Sequence, residues 1–523
     1  MITLRMGCRC PHGVPWFSLA VLAACSGGGS DPTAAPLSTF AVLEVEPQNG
    51  AFVADRRAEV RVRFAELIAG MRFEDLTVED AAGPLLGTAN ASIDGLSWTW
   101  RPHRGLPYGS EIRIRLNPDL RSASGARPPR EVLGSFRVID HVNSREHWLG
   151  TKQGGAIAAM AWPSGRMAAA NGHDVFELGT PSVFSQLLPV NGEPLSFAAD
   201  DVDGFTALAR DGLSPYLLTT ARDSAGGNLV GTTLGAFAST FGRVEHVVNA
   251  RGDAAIYSYG LAGVDDREGL WLAGANAVAW SPVELAPAGG ASLRHLAIDG
   301  AGNLFVGFID GSSGRLQLQR YDHEAGASEL FDVAELPDEF AVGAMGYRQA
   351  RVFWHQRIEV GGGPVHLRLS RLWRDGRLEP SQELHRGAGY LDRAFAMSRD
   401  GAAIVVYEDV ASRQWYLQRF EADGRVGEPS LVADRPVAPF ALGCATRGEA
   451  WLVWAQSDGV GQGIVGVRSR PGLAAELPRV LYHGGAETIR DVAVGVEDGG
   501  GLVVALSEDV AGPVQQVKAV VWQ

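Results

Sequence analysis

Between residues 165 and 502 the chain passes eight times through one unit: a strand of small residues, a tight turn, then a strand of large apolar residues. The turns align as Gly165-Arg166-Met167-Ala168, Gly204-Phe205-Thr206-Ala207, Gly252-Asp253-Ala254-Ala255 and Gly302-Asn303-Leu304-Phe305. Arg348-Gln349-Ala350-Arg351, Gly401-Ala402-Ala403-Ile404, Gly448-Glu449-Ala450-Trp451 and Gly499-Gly500-Gly501-Leu502 continue the series, at a mean spacing of about 48 residues. The strand before the turn is rich in small residues, as in Ala341-Val342-Gly343-Ala344 and Ala441-Leu442-Gly443. The strand after it ends in an aromatic, as in Arg351-Val352-Phe353-Trp354 and Trp451-Leu452-Val453-Trp454.

A period near 48 without amphipathic helical stretches predicts propeller blades, whose innermost strands crowd around an axis and need small side chains. Composition agrees: 66 Gly and 27 Pro punctuate many short strands, and 46% hydrophobic residues suffice for a large core. The expected fold is all-β, an Ig-like β-sandwich at 41–140 followed by a seven- or eight-bladed β-propeller at 141–523. The shortest interval, from Gly165 to Gly204, leaves the blade count open. The last unit, after Arg490, has only three strands. Its open edge needs a partner, and the strand-like stretch around His147-Trp148-Leu149 is the expected donor.

Residues 41–140 show period-two alternation. Val60-Arg61-Val62-Arg63-Phe64 and Ile112-Arg113-Ile114-Arg115-Leu116 place apolar and charged residues on opposite faces, and Ser97-Trp98-Thr99-Trp100 does so with aromatics. The order Glu46-Pro47-Gln48-Asn49-Gly50-Ala51, Val60 to Phe64, Leu76-Thr77-Val78, Trp98-Thr99-Trp100-Arg101-Pro102, Leu106-Pro107-Tyr108-Gly109 and Ile112 to Leu120 resembles the bacterial Ig-like domain of surface-layer and other exported proteins. That resemblance implies a spacer module without catalysis.

The N-terminus carries Arg5 and Arg9, then a short apolar stretch from Pro15 to Ala24, too short to span a bilayer and suited to a signal-peptide core. It ends Leu22-Ala23-Ala24-Cys25, which resembles the lipobox of bacterial lipoproteins, and a Ser-Gly-Gly-Gly-Ser tether follows. The resemblance implies a signal peptide over 1–24, lipidation of Cys25, and a linker over 25–40. Ser26 in place of the inner-membrane-retaining Asp implies the outer membrane. Removing Arg5 and Arg9 takes the net charge from −14 to −16. With no Lys/Arg-rich run, such a body is a poor partner for nucleic acid. Only Lys152 and Lys518 accompany 44 arginines, a bias with no evident meaning in the sequence.

Local catalytic motifs are scarce. No H-E-x-x-H, G-x-S-x-G or C-x-x-C occurs. Gly461-Gln462-Gly463-Ile464-Val465-Gly466 matches G-x-G-x-x-G but lacks the helix that would hold a pyrophosphate. Cys444 lies in an apolar strand and reads as a small core residue. Ser398-Arg399-Asp400-Gly401 begins like the sialidase Asp box and does not finish it. His355, His366 and His385 lack metal-ligand spacing. Asp200, Asp201 and Asp203 cluster at a turn and are the candidate calcium ligands, though the EF-hand spacing is not met.

The expected function is therefore a membrane-anchored, non-catalytic binding or scaffolding module that presents a propeller to an envelope protein or glycan, with no cofactor. The alternatives are a propeller-type glycan hydrolase or lyase, or an outer-membrane assembly factor whose tryptophan-rich blade motif is not evident here.

Overall fold

The computed structural model describes residues 40–522 apart from short stretches within that span, the longest being 261–267, 285–293 and 358–364. Among the described residues the only helix is a single 3₁₀ turn, Phe73–Asp75, and the chain is otherwise strands and turns. The lipidation candidate Cys25 lies outside the described residues.

Twelve strands precede the repeats: β1 (Val42–Glu46), β2 (Phe52–Val53), β3 (Val60–Phe64), β4 (Ile68–Ala69), β5 (Leu76–Asp80), β6 (Gly83–Pro84), β7 (Gly87–Ala91), β8 (Ser97–Pro102), β9 (Glu111–Leu116), β10 (Arg121–Ser122), β11 (Val132–Val138) and β12 (Ser144–Thr151). The first eleven build one sheet in the order β1-β3-β8-β7 and a second in the order β2-β11-β9-β5-β6, with β10 and β4 paired separately. The alternation read from the sequence sets the packing. Val60, Val62 and Phe64 are buried while Arg61 and Arg63 are exposed. Ile112, Ile114 and Leu116 meet them from the other sheet in one core with Trp100 and Phe136. The result is a β-sandwich.

Eight four-stranded antiparallel sheets follow. Their first strands are Ile157–Ala161, Glu193–Ala199, Phe241–Val248, Arg294–Ile298, Glu339–Ala344, Tyr390–Met397, Val437–Cys444 and Ile489–Val496. Seven sheets are built from consecutive strands. The eighth takes three from the C-terminal end and its outermost strand, β12, from the N-terminal side. Register runs antiparallel with Ser144 opposite Trp522 and Trp148 opposite Lys518. The first sheet packs on the eighth through Met167, Ala169, Val503 and Ala505. The array is thus closed on itself and propeller-like. Close approach makes small residues necessary: a Cβ on Gly495 would lie 2.8 Å from the Ala161 backbone nitrogen.

Among the described residues no ladder joins neighbouring sheets, and side chains supply most of the ties. Arg320 of the fourth sheet donates to the carbonyls of Arg348, Trp373 and Arg374 in the fifth, each at 3.3 Å. Arg351 of the fifth donates to Gly401 and Ala422 in the sixth. Arg419 of the sixth donates to Gly448 in the seventh. The closing seam uses the two lysines instead. Lys518 Nζ lies 3.1 Å from Glu146 on β12 and 3.0 Å from Glu508, and Lys152 pairs with Asp491. Burial lowers the Lys518 pKa, but hydrogen bonds to Tyr482, Glu508 and Glu146 outweigh it and hold the ammonium above its ordinary value. Tyr482 is pushed up to about 12, chiefly by burial.

Two outcomes follow from the seam. Deleting Ser144–Thr151 bares the edge of the Gln515–Trp522 strand, and the melting temperature should drop by roughly 10 °C with aggregation. An unchanged melt with a monomeric profile would mean that β12 does not close the ring. Because the folded pKa of Lys518 is raised, its stabilisation is complete below about pH 10.4 and is lost as pH rises through the raised value. The urea midpoint should fall above roughly pH 10, and less steeply in Lys518→Met. Equal slopes in the two proteins would contradict the seam's role.

Candidate functional site

The first turn of every sheet has one hydrogen-bond pattern. The N–H of Trp162 donates to the carbonyl of Arg166, and Asp200 to Gly204, Asn249 to Asp253, Asp299 to Asn303, Met345 to Gln349, Ser398 to Ala402, Ala445 to Glu449 and Glu497 to Gly501 repeat it. The fourth residue of this turn takes positive φ at Gly165, Gly252, Gly302, Arg348, Gly401, Gly448 and Gly500. This corrects the sequence alignment by one residue in two sheets. Gly500, not Gly499, holds that place in the eighth, and in the second the bond from Asp200 to Gly204 makes Gly204 the fifth residue of the turn. Arg348 bears a side chain at φ 56°, and its amide is secured by the Asp299 carboxylate at 2.6 Å.

This pattern decides what the turn-face carboxylates do. Asp200 is buried, and its Oδ1 accepts the Gly204 N–H at 2.7 Å. Asp201 and Asp203, the other candidate calcium ligands, lie outside the described residues. Asp299 Oδ1 accepts the N–H groups of Ala301 and Asn303, and the Ser398 hydroxyl donates to the Ala402 carbonyl. Among the described residues no group of three His, Cys, Asp or Glu is placed to hold a metal ion.

Two cavities of about 640 and 200 Å³ open inside the ring, and between them they touch the first strands or first turns of all eight sheets. Their walls are mostly small or apolar, with Ala199, Gly343, Met397 and Gly443 typical. Cys444 lines the smaller cavity, half-buried, with Sγ 3.5 Å from the Ala445 carbonyl. His366 is buried far from this axis, with Nδ1 2.7 Å from Glu383; the side chains of His355 and His385 lie outside the description. The G-x-G-x-x-G match falls in the strand Gln462–Ser469, which pairs with strands on both sides.

A second concave site lies where the sandwich meets the seventh and eighth sheets. The Tyr108 N–H donates to the Gly499 carbonyl at 2.7 Å. Arg56 donates to the Leu106 carbonyl and pairs with Glu497, whose side chain is fully buried. Burial opposes the Arg56 charge, but Glu497 and then Tyr108 outweigh it, so its pKa is raised. Three arginines of the seventh sheet reach back. Arg468 donates to the Tyr108 carbonyl at 3.0 Å and pairs with Glu449; Arg470 donates to Gly109 at 3.2 Å; Arg447 lies 3.1 Å from Asp80. The sandwich, expected as a spacer, is clamped to the array. Nothing local in the sequence announces pairs 441 residues apart such as Arg56 and Glu497. The one available signal was the excess of arginine over lysine.

Beside this clamp is a cleft of about 290 Å³. Arg113, Arg137 and Glu111 form its sandwich wall, and Arg470, Pro471 and Leu473 its array wall. Arg113 is more than half exposed and sits 3.6 Å from Glu111. Leu473 is 47% exposed. Arg447, Glu449 and Arg470 are engaged in the clamp, whereas Arg113 and Arg137 project from the outer face of β9 and β11.

No protein-family model and no curated protein matches the chain. Among solved structures, an oligogalacturonate lyase in complex with manganese aligns at 11% identity and TM-score 0.41, covering 73% of this chain and 98% of that one. A quinoprotein alcohol dehydrogenase-like protein from Bacteroides thetaiotaomicron aligns at 9% identity and TM-score 0.33, covering 76% and 97%. The S511A mutant of puromycin hydrolase aligns at 15% identity and TM-score 0.35, covering 62% of this chain; the chain spans only 60% of its length. These scores are too low to transfer any activity. The propeller-like reading rests on the sheet order and closure described above.

The clamp is testable by its burial. Removing one partner of a buried ion pair leaves a desolvated charge, so Glu497→Ala should cost about 3 kcal/mol. The exposed pair Arg61–Glu46 gives a contrast, and Arg61→Ala should cost under about 0.5 kcal/mol. Equal effects in chemical denaturation would remove the clamp from the account.

Proposed function

We propose that this chain is an exported, lipid-anchored envelope protein in which an Ig-like sandwich and an eight-bladed propeller form one binding body without catalysis. Its partner is an acidic glycan or an acidic protein surface that enters the cleft between the two lobes. The observation that carries this reading is the pair Arg113 and Arg137, set opposite the exposed apolar Leu473. Guanidinium groups suit carboxylates because they donate two parallel hydrogen bonds, and an apolar neighbour suits a sugar-ring or side-chain face. The lining of the cleft balances acidic and basic groups, and Arg113 and Arg137 are the arginines of its sandwich wall, where an anion would find guanidinium donors on an otherwise acidic body. The channel supports the non-catalytic half of the reading. Polar groups at its turn face, among them Asp200, Asp299 and Ser398, are engaged in holding the turns, Asp299 in its own sheet and the next.

The anchor reading rests on Leu22-Ala23-Ala24-Cys25 and the tether after it. Cys25→Ser should abolish palmitate labelling and release the protein from the detergent phase. For the cleft, the mature protein and an Arg113→Ala/Arg137→Ala variant are compared on immobilised acidic and neutral glycans and on envelope proteins. The account expects retention by an acidic ligand that falls at least about tenfold in the variant and weakens with salt. Equal retention by the two proteins refutes the cleft. Reproducible turnover of any glycan by the wild type replaces the binding reading with the hydrolase or lyase one.

A further inference from the structure

The sandwich has two ends, and they differ in kind. One end carries Arg56, Leu106 and Tyr108 and is clamped to the array. β3 leaves that end at Val60 and reaches the opposite end at Phe64, while β8 starts at the opposite end with Ser97 and returns. At this opposite end three aliphatic side chains stand in solvent: Leu43 at 61% exposure, Leu67 at 51% and Ile93 at 110%. They share one locality. The Ala65 N–H donates to Ala41, and the Phe64 N–H donates to Leu96. A Cβ on Gly95 would lie 2.6 Å from Leu67 Cδ2, so Leu67 lies over the turn that carries Ile93. The described chain also enters the sandwich here, at Phe40.

We infer that this end of the sandwich dips its three aliphatic tips into the surface of a lipid bilayer. The inference rests on the anchored reading above, because a lipidated Cys25 leaves only residues 26–39 between the membrane and Phe40. A tether of that length enters the fold at the end that bears the tips and opposite the end that is clamped. The turn is already formed: Ser92 and Asp94 accept the N–H groups of Ser97 and Leu96 at 2.9 and 3.0 Å. Ile93 is therefore presented outward at little ordering cost. Exposed aliphatic loop tips without an enclosing groove fit a fluid hydrocarbon boundary better than a shaped protein pocket. The neighbouring charges are Glu44, Glu66 and Asp94 with Arg63, which gives no attraction to anionic headgroups. The surface that fits is zwitterionic, and the contact should be insensitive to salt.

The test uses the full-length, lipidated protein with Cys444→Ala and Ile93→Cys, labelled at residue 93 with an environment-sensitive fluorophore and reconstituted into phosphatidylcholine vesicles. Brominated lipids serve as the quencher. The expected result is a blue-shifted emission and several-fold quenching at residue 93, unchanged by high salt. A label placed by Leu330→Cys on the exposed outer strand of the fourth sheet should stay unquenched. Loss of co-flotation with vesicles overturns the anchored reading and this inference with it. Co-flotation with a water-exposed label at residue 93 overturns this inference alone. A shift that depends on protein concentration and not on brominated lipid gives the patch to a second copy of the chain and overturns it as well.

Discussion

From the fourth sheet to the seventh, arginine reaches across gaps that backbone ladders do not bridge, and Trp162 and Asn249 do the same at two other junctions. The backbone ladders of the ring stay within each sheet, so among the described residues neighbouring sheets meet mainly through side chains, with a single backbone bond such as Ala156 N–H to the Pro194 carbonyl beside them. Apolar packing fills the gap, but it does not fix one sheet's height against the next. Arg320, Arg351 and Arg419 do this by donating to carbonyls in the following sheet's turns. The guanidinium suits the task because its fork donates to several carbonyls at once and its charge does not titrate away. A lysine in the same place offers a point charge without the fork. The composition of 44 arginines to two lysines thus has a structural meaning, and both lysines sit at the seam where the two ends of the ring join.

The same device fixes the sandwich. At the position where Arg320 and Arg419 hold the next turn, Arg468 holds the Tyr108 carbonyl of the sandwich. The sandwich therefore continues the ring's own stapling pattern instead of hanging from a linker. Its last strand, β11, also leads within a few residues into the closing strand β12. A body built this way holds the cleft walls at a constant separation, which is the preorganisation that binding to a rigid or extended partner requires.

Much of the architecture was legible because it is periodic. Alternation at Val60–Phe64 and Ile112–Leu116 specified which faces meet, and the recurrence of glycine turns gave the period of the units while leaving their number at seven or eight. The missing strand of the last unit identified β12 as its partner by elimination. The errors arose where the local code is degenerate. Gly499, Gly500 and Gly501 all fit a glycine turn, and only the Glu497-to-Gly501 hydrogen bond selects Gly500 for positive φ. The site was much less legible. Arg56 and Glu497 are far apart in sequence and belong to no period, and Arg113 looks like any outward residue of an alternating strand. Of the three turn acids named as candidate calcium ligands only Asp200 is described, and its Oδ1 accepts the Gly204 N–H of its own turn.

The most direct test of this account is the distance distribution between the lobes. Spin labels at exposed positions of each lobe, Leu86→Cys in the sandwich and Leu431→Cys in the sixth sheet, are placed on a Cys444→Ala background and read by pulsed dipolar spectroscopy. A clamped body gives one narrow distance that broadens when Glu497 is replaced by Ala. A broad distribution in the protein with Glu497 intact would mean that the sandwich is a tethered spacer and that the cleft has no fixed shape.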